Sequence, residues 1–250
     1  MATAAVAARR RLEERVLELA AAYRRAHRPL TPDRLAAGIG CSWREAPLAG
    51  RDGLLEPLSR TILVAAGQPR TRQRFTLAHE VMHYLIENDD DLLSDLHEVY
   101  AGRELEAALE KLCNLGAAEI LIPRELVARE RAAAGPNPRL IWELAARHGV
   151  SEAAAAVALS RDLGPKSQIS IWGGAGPELY FATGVGAPRP GLVLPSRHPL
   201  AEVKRSGLPH RGWMELPGGG RGRAWARLRA GRVYVVALEV EVGAGGIAAV

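Results

Sequence analysis

From Arg9 to Ala26 the apolar residues Leu12, Val16, Leu19 and Tyr23 recur every three or four positions, which predicts an amphipathic helix. A second, short helix fits Pro32 to Ala37, with Thr31 placed to cap it and Pro32 at its first position, where a missing N–H costs nothing. Between Ile39 and Ala66 the pattern shortens to runs such as Gly53-Leu54-Leu55-Glu56 and Thr61-Ile62-Leu63-Val64, separated by Gly, Pro and Asp. Such runs predict a small antiparallel sheet. Thr71 then opens a helix through about Glu87, the acidic run Asp89-Asp90-Asp91 breaks it, and a long helix follows from Arg103 to Ile122. Pro123 closes that helix and marks a domain boundary.

Three helical runs follow, 124–133, 138–148 and 151–162, and Gly149-Val150-Ser151 forms the turn between the last two, a spacing that resembles a helix-turn-helix. From Gly164 the texture shifts to glycine, proline and β-branched runs, including Gln168 to Trp172, Glu178 to Ala182 and Val233 to Val242. This predicts a separate α/β or mostly β domain of about 85 residues, with Gly218-Gly219-Gly220 at a hairpin tip. The expected organisation is therefore α+β with three domains, 1–122, 123–163 and 164–250.

Composition narrows the class. The 250 residues are 48% hydrophobic and 24% charged, which excludes a collagen, a coiled coil and a mostly disordered chain. No run approaches the roughly 20 apolar residues of a spanning helix. Arg9 to Arg11 follow the apolar start instead of preceding it, which reverses the order found in a secretory signal. Cys41 and Cys113 lack any Cys-x-x-Cys spacing and are expected to be small buried side chains. A cytoplasmic protein is expected. The net charge of +5 is unevenly spread: residues 76–110 carry ten acids and one base, whereas 161–250 carry twelve bases and six acids. That division predicts two functional surfaces.

The acidic stretch holds the strongest chemical signal, His79-Glu80-Val81-Met82-His83. Two histidines four apart share one side of a helix, so both imidazoles reach one metal ion, while the adjacent glutamate can hold a water. Ala78, Val81, Met82 and Leu85 define the buried stripe of this helix, and the histidines lie along its edge. A catalytic zinc site needs a third protein ligand and an open position for water. The downstream residues of a metzincin are absent, since Ile86 and Asp89 stand where its glycine and third histidine would be. Spacing alone leaves Glu110 and Glu106 as near-equal candidates, with His97 and the Asp89 to Asp91 cluster behind them.

The run Gln73-Arg74-Phe75-Thr76-Leu77-Ala78-His79-Glu80, the stretch 89–97 and the segment Glu110-Lys111-Leu112-Cys113-Asn114-Leu115-Gly116-Ala117-Ala118 resemble the IrrE (PprI) proteins of the ImmA/IrrE metallopeptidase family. The similarity is dense over roughly 50–125 and traceable to the end of the chain. It implies that Glu110, four residues before Asn114, is the third metal ligand. Val81-Met82 departs from the residues usual inside the motif, but neither position binds metal. The resemblance further implies a zincin-like (gluzincin) peptidase domain, a helix-turn-helix-like middle and a GAF-like C-terminal sensor domain. In the mechanism it implies, His79, His83 and Glu110 hold Zn²⁺ or Mn²⁺ and Glu80 is the general base. The substrate it implies is a helix-turn-helix (XRE-type, DdrO-like) repressor whose cleavage releases DNA-damage and radiation-response genes.

The alternative reading is a DNA-binding transcriptional regulator with a non-catalytic metal site. The would-be recognition helix Ser151-Glu152-Ala153-Ala154-Ala155-Ala156-Val157-Ala158 offers almost no side chain able to reach a base edge, which argues against sequence-specific reading of DNA. Arg205, Arg211, Arg221, Arg223, Arg227 and Arg229 form either a basic surface for phosphates or an acidic partner, or a plain solvated face.

Overall fold

The structure, a computed structural model, describes residues 2–174 and 177–242, so part of the expected C-terminal domain, 243–250, lies outside the described residues. The chain divides into two compact units, Met1–Pro123 and Arg124–Val250. Among the described residues no helix is long and apolar enough to cross a membrane.

The first unit runs α1 (Ala2–Ala26), α2 (Pro32–Ala37), β1 (Ser42–Ala46), β2 (Gly53–Glu56), β3 (Thr61–Ala65), α3 (Arg70–Glu87), α4 (Asp90–Val99) and α5 (Arg103–Leu121). Its periodic residues Leu12, Val16 and Tyr23 are buried as α1 packs on α5 and α4. The Thr31 side chain accepts from the Arg34 N–H at the start of α2. At the other end of α5 the orphan carbonyl of Ile120 accepts from Arg24 Nη1 at 2.5 Å, so a buried arginine of α1 caps that helix.

Two features depart from expectation. The sheet has the order β1-β3-β2, with β2 antiparallel to β3 but β1 parallel to it. The chain reverses twice and β3 inserts between its predecessors, so the first and third strands run the same way. Asp89 does end α3, but it also starts α4 by accepting the Leu92 N–H at 2.9 Å, with Asp90 and Asp91 in the first turn. Acids at a helix N-terminus stabilise it, which is why a run that reads as a breaker opens a new helix.

The second unit comprises α6 (Arg124–Ala134), α7 (Arg139–His148), α8 (Glu152–Leu163), β4 (Gln168–Gly173), β5 (Glu178–Gly184), α9 (Pro199–Ser206), β6 (His210–Leu216), β7 (Gly220–Arg229) and β8 (Arg232–Val242). Its five strands form an antiparallel sheet in the order β5-β4-β8-β7-β6. One face packs Trp172, Met214, Ala224, Ala226 and Val235 with Leu200 and Val203 of α9. On the opposite face Ile169 and Ile171 of β4 and Tyr234 of β8 are also buried. Helix α8 packs against β4 and β5, and Trp142 of α7 meets Tyr234 edge to face at 5.0 Å. The helices α6–α8 lie in the same compact unit as the sheet. Without them the apolar side chains of β4 would face water.

Candidate metal centre

Helices α3 and α5 build the site, and a glycine sets how closely they approach. A Cβ added to Gly116 on α5 would lie 2.7 Å from Met82 Sδ, so any larger residue there would force the Met82 side chain or α5 to shift. A glycine inside a helix costs about 1 kcal/mol relative to alanine, which the close packing must offset. The buried stripe of α3 is Ala78, Val81, Met82 and Ile86; Leu85, expected in it, is only half-buried. That rotation leaves His79 and His83 at the edge facing α5.

Across that edge Glu110 reaches both histidines. His79 Nε2 lies 3.4 Å from Glu110 Oε2, His83 Nε2 lies 3.3 Å from Glu110 Oε1, and the two Nε2 atoms are 3.1 Å apart. One donor atom from each residue falls within a span of 4.8 Å. For ligand bonds of about 2.0–2.2 Å in a tetrahedron, the donor atoms stand roughly 3.3–3.6 Å from one another. The observed separations fit one divalent ion among these three side chains, and two imidazoles with a carboxylate are a donor set that zinc and manganese both accept. His79 Nδ1 is buried without a hydrogen-bond partner, whereas His83 Nδ1 lies 3.7 Å from Glu87 Oε1. Of the other carboxylate and histidine candidates, none joins this cluster among the described residues: Asp89 caps α4 and pairs with Arg15, and Glu106 and His97 are exposed.

Glu80 points elsewhere. Its carboxylate turns toward the edge strand β2, where the Leu55 N–H donates to it. The pairing explains why that N–H is free: Ala65 N–H donates to Asp52 O, so Gly53 and Leu55 fall at positions whose backbone groups point away from β3. Gly53 has no side chain where Glu80 and Thr76 lie. A glycine in a strand interior marks such close approach, and this signal would have located β2 beside the motif from sequence.

Burial and the neighbouring His83 push the His79 imidazole below its usual range, opposed by Glu110. Burial also raises the Glu80 carboxyl above the usual carboxylate range; His83 opposes this and Glu110 adds to it. The three converging side chains and Glu80 line a cleft of about 650 Å³ with Phe75 and Asn114. The arrangement offers a cation site, a carboxylate one residue away from it in sequence, and an open strand edge.

Residues 37–160 match the family described as the IrrE N-terminal-like domain, a peptidase family. The chain is 43% identical over 147 residues to the radiation response metalloprotease IrrE of Deinococcus radiodurans, a match that covers 58% of this chain and 45% of that protein. It is 35% identical over 230 residues to the protein of the same description from Deinococcus deserti, covering 81% of each. Thus the chain's match spans less than half of the first relative and four fifths of the second. A solved Mycobacterium tuberculosis transcriptional regulator shares the fold at a TM-score of 0.54 and 14% identity, over 92% of this chain and 80% of that one.

Proposed function

The chain belongs to the IrrE family of metallopeptidases, and from that premise we propose that it is a site-specific endopeptidase that cleaves a helix-turn-helix repressor of DNA-damage and radiation-response genes. The observation that carries the catalytic part is the convergence of His79, His83 and Glu110 beside Glu80 in one cleft. The repressor part rests on the sequence resemblance together with the radiation response named for both relatives.

In this reading His79, His83 and Glu110 hold the divalent ion, Zn²⁺ or Mn²⁺. When bound, the ion supplies Lewis acidity, which polarises the scissile carbonyl and lowers the pKa of water from 15.7 toward about 7. Glu80 takes a proton from the attacking water on its carboxylate and delivers it to the leaving amine. Asn114 and Phe75 border the cleft and limit where a peptide can lie. The zincin-like architecture of the first unit and the GAF-like character of the second belong to the same proposal, the latter supported by a five-stranded antiparallel sheet flanked by helices. So does a cytoplasmic location, where a repressor would be met.

The test mixes the purified chain, Zn²⁺ or Mn²⁺ and an XRE-type repressor encoded by the same genome. Metal-dependent cutting at one site is expected, with Glu80→Gln inert yet still loading metal. Cutting by Glu80→Gln at the wild-type rate overturns the mechanism; intact repressor beside a cleaved generic peptide overturns the substrate.

A further inference from the structure

Strand β6 is an edge of the second unit's sheet and pairs only with β7 among the described residues. Its hairpin closes where the Leu216 carbonyl accepts the Gly219 N–H at 3.2 Å, so Leu216, Met214 and Gly212 direct their backbone groups toward β7. The alternate residues Arg211, Trp213 and Glu215 aim theirs at the open edge. The Glu215 backbone meets the His198 ring there, which agrees with this phase. The N–H and C=O groups of Arg211 and Trp213 have no backbone partner among the described residues.

The side chains of the same three residues stand on the outer face of the sheet, while Met214 and Leu216 enter the core on the other. Trp213 keeps 49% of its surface, and Arg211 and Glu215 are exposed. Neither of the two charged residues forms an ion pair within the chain among the described residues. An unpaired edge is a template for another strand, and a protein that keeps its edge single blunts it with charges that repel a copy. Here the charges do the opposite. Arg211 and Glu215 lie two residues to either side of Trp213, with opposite sign.

We infer that β6 pairs antiparallel with β6 of a second copy of this chain, about a two-fold axis through Trp213. In that register the two indoles face each other as a cross-strand aromatic pair, and Arg211 stands opposite the partner's Glu215 at both ends. Like charges would meet in a parallel arrangement, and any slip of the antiparallel register loses both ion pairs. A patch that complements itself in this way is what a closed two-fold interface requires. The occupant is a second copy because the matching strand, with acid, indole and base in reverse order, is this chain's own.

The test is sedimentation equilibrium of the full chain between about 1 μM and 1 mM, the range in which a small interface is populated. The mass is expected to rise with concentration toward two chains, and less so at high salt. Arg211→Glu and Glu215→Arg should each weaken dimerisation on the order of tenfold, because both cross-strand pairs become repulsive. An equal mixture of these two variants should dimerise again, as should the double variant Arg211→Glu/Glu215→Arg, since acid and base then face each other. Trp213→Ala should weaken the dimer and Trp213→Phe retain most of it. Thermal melting should show every variant folded, and recovery on mixing is an effect that misfolding would not produce. The inference is overturned by a monomer at every concentration, by single charge swaps that leave the dimer intact, or by a mixture no better than its components. A monomeric chain that binds a peptide copying His210–Leu216 would also overturn it and give the edge to a foreign strand. None of these outcomes depends on peptidase activity, so the inference stands or falls apart from the proposed function.

Discussion

Gly53 leaves open the space that the Glu80 carboxylate occupies: a Cβ at position 53 would stand 2.8 Å from Glu80 Oε1. The edge strand therefore sets where the catalytic carboxylate of the proposed mechanism lies. Gly53→Ala is expected to displace Glu80 without touching His79, His83 or Glu110. A misplacement of about 1 Å can cost on the order of 100-fold in rate. Turnover should fall between about 10- and 100-fold while metal content by elemental analysis stays at the wild-type level. Unchanged turnover would show that Glu80 does not need this seat.

The third ligand is tested by metal content. Truncating a group that merely supports a metal ligand costs about 10- to 100-fold in affinity, so losing a direct ligand should cost at least that much. Glu110→Ala is expected to weaken Zn²⁺ binding by 100-fold or more, whereas Glu106→Ala, exposed and outside the cluster, should bind like wild type. Comparable loss in the two variants would remove Glu110 from the site.

Gly116→Ala probes how the two helices are held together. The added methyl meets Met82, and overpacking of this kind costs about 1–3 kcal/mol, offset in part by the better helix propensity of alanine. Denaturant unfolding should show a net loss of about 1 kcal/mol. Zinc affinity should also drop, because α5 carries Glu110 away from His79 and His83 as it shifts. Stability loss with unchanged affinity would separate the packing from the site.

These residues show what sequence could reveal. His79, Glu80 and His83 are legible because their spacing within one helix already fixes their geometry. Glu110 is not legible from spacing, since its approach depends on the Gly116–Met82 contact between helices, and only the family resemblance singled it out. Leu85 was expected in the stripe that Ile86 completes, a one-residue phase error that periodicity over a few turns cannot resolve. Helix α4 was hidden because three consecutive acids serve equally as a solvated loop or a helix start.

The second unit carries its own pH dependence at His198. This residue caps α9: its Nδ1 accepts the Leu200 N–H at 3.2 Å, which requires an unprotonated nitrogen. Burial lowers its pKa below the usual histidine range; the Glu215 backbone and carboxylate oppose this, and His210 adds to it. Because the folded pKa is the lower one, the unfolded chain takes up the proton first as pH falls. Stability from this group is therefore fully present above about pH 6.5, the unfolded value, and is lost as pH drops below it toward the folded pKa. Asparagine also caps helices but does not titrate in this range, so His198→Asn should keep α9 while flattening the profile. Denaturant unfolding of the full chain between pH 7.5 and pH 5, roughly the window in which a free histidine titrates, should show wild type losing more stability than His198→Asn. Parallel pH profiles for the two proteins would place the acid sensitivity elsewhere than at this cap.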